Sequence, residues 1–147
     1  METESLSAAE ESLLARAKAV NAETFDSAFF DGAHIVAASV RTSDGAVFDG
    51  VSLPASIGRA ATCAEPGAVS SAIAAGYSHD DLEACVAVAY PMPEHDADDA
   101  RVVPPCGVCR ELLADYNPEM RVLVPPEEDT EPVRAARATD LLPNRPW

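Results

Sequence analysis

The sequence predicts a single α/β domain, a mixed β-sheet flanked by helices. Two observations carry this. Helix-spaced and β-prone segments follow one another in the order helix, hairpin, helix, strand, helix, strand, an order suited to helices packed on a sheet. The 147 residues suffice for one compact core but not for two typical ones. Hydrophobic residues make up 48% of the chain and aromatic residues only 5%, so the core is expected to consist of small side chains, chiefly Ala and Val.

Ser7 and Glu10 have the spacing of a capping box, and Leu6, Leu13, Leu14, Ala17 and Val20 recur at helical intervals, predicting a first helix over residues 7–21. His34 to Val40 is apolar and β-prone, Ser43-Asp44-Gly45 is a turn signal, and Ala46 to Val51 resumes an extended pattern, which together read as a β-hairpin. Pro54 and Gly58 interrupt the chain. A second helix is expected from near Cys63 to Ala75, stopped by Gly76. Glu83 to Tyr90 reads as a buried strand, ended by Pro91 and Pro93 and followed by an acidic loop from Glu94 to Asp99. A third helix is expected to open at Cys106 and Cys109, and Arg121 to Val124 to form a further strand. Residues 125–147 read as a mostly irregular C-terminal tail of the same domain, with a helical turn around Thr139 to Leu142.

Twenty-five acidic residues oppose ten basic ones, for a net charge of −15. Lys18 is the only lysine. Such a surface repels polyanions, and no Lys/Arg cluster forms a basic stripe, so a nucleic-acid partner is not expected. An acidic, lysine-poor composition also fits a halophilic protein, in which high ionic strength screens self-repulsion. The acidic, polar stretch Met1 to Glu11 lacks the features of a signal peptide, and no apolar run reaches transmembrane length. A cytoplasmic protein without membrane contact is therefore expected.

In that compartment, four cysteines point to metal binding or catalysis before disulfides. Cys106 and Cys109, two residues apart at a helix start, can both reach one tetrahedral zinc, and Cys63 can complete three protein ligands. Helix N-termini at both segments would favour thiolates. A catalytic zinc keeps a position for water and needs a nearby proton acceptor that is not a ligand. Glu65 is placed for that role. The alternative is a closed structural site whose fourth ligand would be Cys85, His79 or His95; Cys85, inside an apolar strand, has the setting of a buried inert thiol.

Cys63-Ala64-Glu65 followed by Pro105-Cys106-Gly107-Val108-Cys109 matches the three-cysteine form of the zinc-deaminase signature. On these motifs, with Thr42-Ser43-Asp44-Gly45, Gly50-Val51, Arg110 and Leu141-Leu142-Pro143, nearly the whole chain resembles the small homotetrameric cytidine deaminases. The resemblance implies a cytoplasmic homotetramer with one Zn²⁺ per chain that hydrolytically deaminates a nucleoside-like small molecule. It also implies that Glu65 takes a proton from water and passes it to the ring nitrogen and the departing ammonia. His34, Ser52 and Ala64 fall at substrate-binding positions, and Arg110 where a cation draws charge off the thiolates. The bland alternatives are a plain surface charge for Arg110 and a satisfied backbone partner for His34. Trp147 lies one residue beyond the family's C-terminal aromatic.

The chain also departs from the family's pattern. The second thiolate-neutralising arginine is replaced by Pro66, and the ribose-binding Asn-x-Glu by Ser52 and Pro54. Standard ribose recognition is thus not expected.

Overall fold

The computed structural model describes residues 1–94 and 98–144, so His95 and Trp147 lie outside the described residues. Within them the chain forms strands β1 (Glu4–Ser5), β2 (Val36–Thr42), β3 (Val47–Val51), β4 (Leu82–Ala89), β5 (Arg101–Val102), β6 (Arg121–Val124) and β7 (Arg134–Arg137). The helices are α1 (Ala8–Thr24), α2 (Glu65–Ala74) and α3 (Gly107–Tyr116).

The sheet runs in the order β1-β7-β6-β4-β2-β3, with β5 paired to the end of β4. It is mixed: β4 and β6 are parallel, and the other pairs are antiparallel. Parallel neighbours require a long crossover, and the chain between β4 and β6 supplies it through α3.

Period-two alternation along the central strands divides the core into two layers. Ala37 of β2 and Ala84, Val86 and Val88 of β4 face α1, where they meet Leu13, Ala17 and Val20. Ala38, Val40, Cys85 and Ala87 face the opposite side, against Ala68, Val69 and Ala72 of α2 and Leu113 and Ala114 of α3. Among the described residues, the fully buried hydrophobics are aliphatic or sulfur-containing, with many alanines and no aromatic ring. The small-residue core read from composition is thus present, and it lets the helices lie close to the sheet.

The Ser7–Glu10 capping box forms reciprocally, and α1 begins at Ala8 as its cap requires. The second helix starts at Glu65, two residues after Cys63, because Thr62 exchanges both backbone bonds with Leu53 (3.0 and 3.1 Å) and holds the chain extended up to Cys63. The C-terminal segment is less irregular than expected: Arg134–Arg137 forms β7, inserted between β6 and β1, and Ala138–Leu141 follows as a 3₁₀ turn. Among the described residues, no helix is long and apolar enough to cross a membrane.

Candidate metal centre and substrate cavity

Three elements bring the ligand candidates together. Cys63 ends the extended segment before α2, Cys106 caps α3, and Cys109 lies within the first turn of α3. The Cys63 and Cys106 sulfurs are 3.3 Å apart, and all three Sγ atoms lie within 4.8 Å of one another. Among the described residues, this is the group of three or more His, Cys, Asp or Glu side chains placed to hold a metal ion. Cys85 lies elsewhere, fully buried in β4. His79 is exposed and occupied with the Tyr116 carbonyl, 2.7 Å from Nδ1.

Glu65 is buried, at 4% exposure. Its Oε2 accepts a 3.4 Å hydrogen bond from the Cys109 thiol. The electrostatics of the four groups are coupled. Burial raises the Cys109 thiol well above the ordinary range, and the charges of Glu65 and the neighbouring thiols add to that. Cys63 is raised by burial and by Cys106. Burial also opposes the Cys106 thiolate, but the backbone N–H groups of Cys109 and Val108 and the two neighbouring thiols outweigh it, so this thiol is lowered. An exposed thiol held low beside two thiols raised chiefly by burial is a donor set whose thiolate forms a bound cation would favour.

Beside the sulfurs opens a cavity of about 380 Å³. Its lining includes Glu65, Cys63 and Cys106 together with Ser52, Val36, Ala61, Thr62, Ala64, Val103 and Pro104. Ser52 and Ala64, two of the residues expected from the sequence to meet substrate, are thus among the residues that line this cavity. Ser52 Oγ accepts the Val36 N–H at 3.0 Å, which leaves its own O–H free to donate. His34 is not on the wall. It sits one step behind, with Nδ1 2.9 Å from the Ser52 carbonyl, held in a left-handed backbone conformation (φ 57°).

Arg110 directs its guanidinium to two carbonyls, Pro105 O at 2.8 Å and Leu141 O at 3.3 Å. It thereby ties the residue before Cys106 to the C-terminal segment. Pro66, in the first turn of α2, lines a separate groove with Leu112 and Tyr116.

No family-wide sequence profile matches the chain. A curated relative does: the chain is 36% identical over 105 residues to blasticidin-S deaminase from Bacillus cereus, covering 71% of this chain and 74% of that one. The chain belongs to the cytidine deaminase superfamily. Solved structures agree. The cytidine deaminase from Burkholderia pseudomallei superposes with a TM-score of 0.67 at 28% identity, over 91% of this chain and 96% of that one. The cytidine deaminase from Bacillus anthracis reaches 0.71 at 21% identity over 92% and 88%, a likeness of fold.

The chain is thus a deaminase of the hydrolase class, and its donor set fits a zinc ion. Four ligands at about 2.3 Å in a tetrahedron place their sulfurs about 3.8 Å apart, and the three cysteines of this deaminase cluster within the range that small rotamer shifts bridge. The lining residues Val36, Val103 and Pro104 were not singled out in the sequence, whereas Ala61 and Thr62 belong to the loop Leu53 to Thr62 that the sequence reading expects to shape the pocket. Pro104 carried one available signal, its adjacency to a ligand segment, whereas nothing local ties Val36 to a site formed by α2 and α3.

Proposed function

We propose that this deaminase removes the exocyclic amine of a cytosine-type ring or related aminated heterocycle by zinc-dependent hydrolysis. The observation that carries the reading is the position of Glu65: buried at the cavity wall, 3.4 Å from a ligand sulfur, and not needed as a ligand itself. Cys63, Cys106 and Cys109 would hold the zinc, which when bound supplies the Lewis acidity that makes water a nucleophile near neutral pH.

The chain's own residues do the rest. The apolar side chains of Val36, Ala61, Val103 and Pro104, which line the cavity, would pack on a planar ring and help hold it beside the sulfurs. Glu65 takes the proton of the attacking water on its carboxylate. It returns that proton to the ring nitrogen, takes the second, and delivers it to the departing ammonia, so that it ends each turnover ionised as it began. Ser52 offers its O–H to the substrate, and His34 fixes the Ser52 backbone from behind. Arg110, fastened to the residue before Cys106, is the nearest candidate for offsetting the third thiolate charge.

We place the enzyme in the cytoplasm as a homotetramer, in keeping with its resemblance to the small cytidine deaminases. Val108 (73% exposed), between Cys106 and Cys109, is an apolar side chain that assembly would cover. The test is ammonia release from the zinc-loaded protein across aminated nucleosides, free bases and cytosine-containing antibiotics in high salt. Turnover abolished by Glu65→Gln supports the reading; no ammonia from any member of the panel overturns it.

A further inference from the structure

Gly50 stands in β3 opposite Ala38 of β2, with an ordinary strand backbone, so no left-handed conformation calls for glycine there. The neighbouring helix does. A Cβ on Gly50 would lie 2.4 Å from the Ala64 carbonyl oxygen, 2.4 Å from the Ala68 amide nitrogen and 2.8 Å from the Gly67 carbonyl carbon. All three are backbone atoms of the first turn of α2, and none can rotate aside. The same Ala64 carbonyl accepts the Ala68 N–H at 3.3 Å and so closes the turn that carries Glu65.

We propose that Gly50 is a positioning residue for the deamination: by letting the α2 backbone rest directly on β3, it sets the distance between the Glu65 carboxylate and the cysteines of α3. The inference rests on Glu65 being the proton shuttle. Non-bonded heavy atoms settle at about 3.5–4.0 Å, so a methyl group at Gly50 demands a retreat on the order of 1 Å. Residues Val47 to Val51 of β3 are all paired with β2, and Asp49 is further held by Arg16 (2.7 Å) and Ser39 (2.7 Å). The retreat therefore falls on the start of α2. Cys106 and Cys109 belong to a different helix and do not follow. A misplacement of roughly 1 Å in a group remote from the mutation can cost about 10²-fold in rate.

Gly67 provides the control from the same contact. Its Cβ would meet the Gly50 Cα at 3.4 Å, an ordinary van der Waals distance.

The experiment compares Gly50→Ala, Gly67→Ala and Glu65→Gln in the zinc-loaded enzyme by kcat and KM for ammonia release. Metal stoichiometry and the visible spectrum of the cobalt(II)-substituted proteins are read alongside. Gly50→Ala should lose about 10²-fold in kcat with KM within a few-fold of the parent and a shifted cobalt–thiolate spectrum, while Gly67→Ala keeps the parental kcat and spectrum. Parental kcat and spectrum in Gly50→Ala overturn the proposal, as does an equal loss in Gly67→Ala. Should Gly50→Ala not fold, Ala68→Val pushes the same turn off the sheet by its side chain, and an unchanged kcat and spectrum there overturn the proposal equally. Parental turnover in Glu65→Gln removes the proton-shuttle reading and the inference with it, an outcome distinct from a failure at Gly50 alone.

Discussion

The carboxylate of Glu65 and the sulfur of Cys109 meet at 3.4 Å although 44 positions separate them. Glu65 starts α2 and Cys109 lies in the first turn of α3. Both helices lie on the same face of the sheet, so their N-terminal turns converge beside the cavity. The proposed proton shuttle and the proposed metal ligand are therefore carried by separate helices and can be removed separately.

Glu65→Gln should keep zinc and thermal midpoint while kcat falls by about 10²–10⁴-fold, the usual worth of a positioned general acid–base. Stopped-flow or coupled ammonia assays on zinc-quantified protein check this. Turnover within a few-fold of the parent would assign proton transfer to another group.

Metal retention should divide the four cysteines three to one. Cys109→Ser should lose stoichiometric zinc, whereas Cys85→Ser, altering a thiol buried in β4 and held protonated by burial and the nearby Glu65 charge, should retain it. X-ray absorption of the loaded protein should fit three sulfur ligands, not four.

A pH-dependent contribution to stability comes from Glu10. Burial raises this carboxyl, but Arg121 and the amide and hydroxyl of Ser7 outweigh it and hold it below its ordinary 4.5. Arg121 Nη2 lies 3.2 Å from Glu10 Oε2 and Nη1 2.9 Å from Glu4, so one guanidinium fastens α1 and β1 to β6. A depressed carboxylate stabilises the fold fully above its unfolded value and ceases to do so as the pH falls through the folded value. Glu10→Gln should therefore cost about 1 kcal/mol near pH 7, given the partial exposure of Arg121. In urea titrations the gap between parent and variant should close below pH 4.5; a gap independent of pH would assign the cost to packing.

Much of this architecture was legible in the sequence for physical reasons that differ from element to element. The Ser7–Glu10 cap and the Leu13, Ala17, Val20 stripe are local signals, and the Cys63-Ala64-Glu65 and Pro105-Cys106-x-x-Cys109 pair is specific enough to place the metal cluster. β7 was missed because Arg134-Ala-Ala-Arg137 has no β-branched or aromatic residue; it is a strand because β6 and β1 pair with it on both sides. The two-residue offset of α2 from Cys63 arises because Thr62 pairs with Leu53, across a loop the sequence marks only by Pro54 and Gly58. Val36 and the retreat of His34 behind Ser52 depend on how the hairpin abuts the helices, which no periodicity records.

Stability should rise with salt. The net charge of −15 is spread over a small domain, and molar KCl shortens the screening length to about 3 Å. The thermal midpoint is expected to climb between dilute buffer and molar KCl. A midpoint indifferent to KCl would remove the inference of a halophilic protein.

Substrate choice follows from what lines the cavity beyond the reacting carbon. By the resemblance to the small cytidine deaminases, Ser52 and Pro54 stand at the two positions expected to bind ribose hydroxyls. Ser52 Oγ accepts the Val36 N–H at 3.0 Å and keeps a single O–H to donate, and proline has no side-chain donor or acceptor, so the amide–carboxylate pair that would grip two hydroxyls is missing. A site built to hydrogen-bond a hydroxyl rejects analogues lacking it by large factors because its own groups are left unpaired; a site without those groups has no such penalty to impose. Cytidine and 2′-deoxycytidine should therefore be turned over with poor and similar efficiency. The apolar side chains Leu53 and Ile57 on the loop beside the cavity should favour an aminated heterocycle with a different substituent, and blasticidin S is the first compound to try, given the relative that bears its name. Measuring kcat/KM across the panel decides it. A value for cytidine of roughly 10⁴ M⁻¹s⁻¹ or more, above every other member, would show that the sugar is bound by groups other than those two positions and would make this an ordinary cytidine deaminase with a rearranged ribose site.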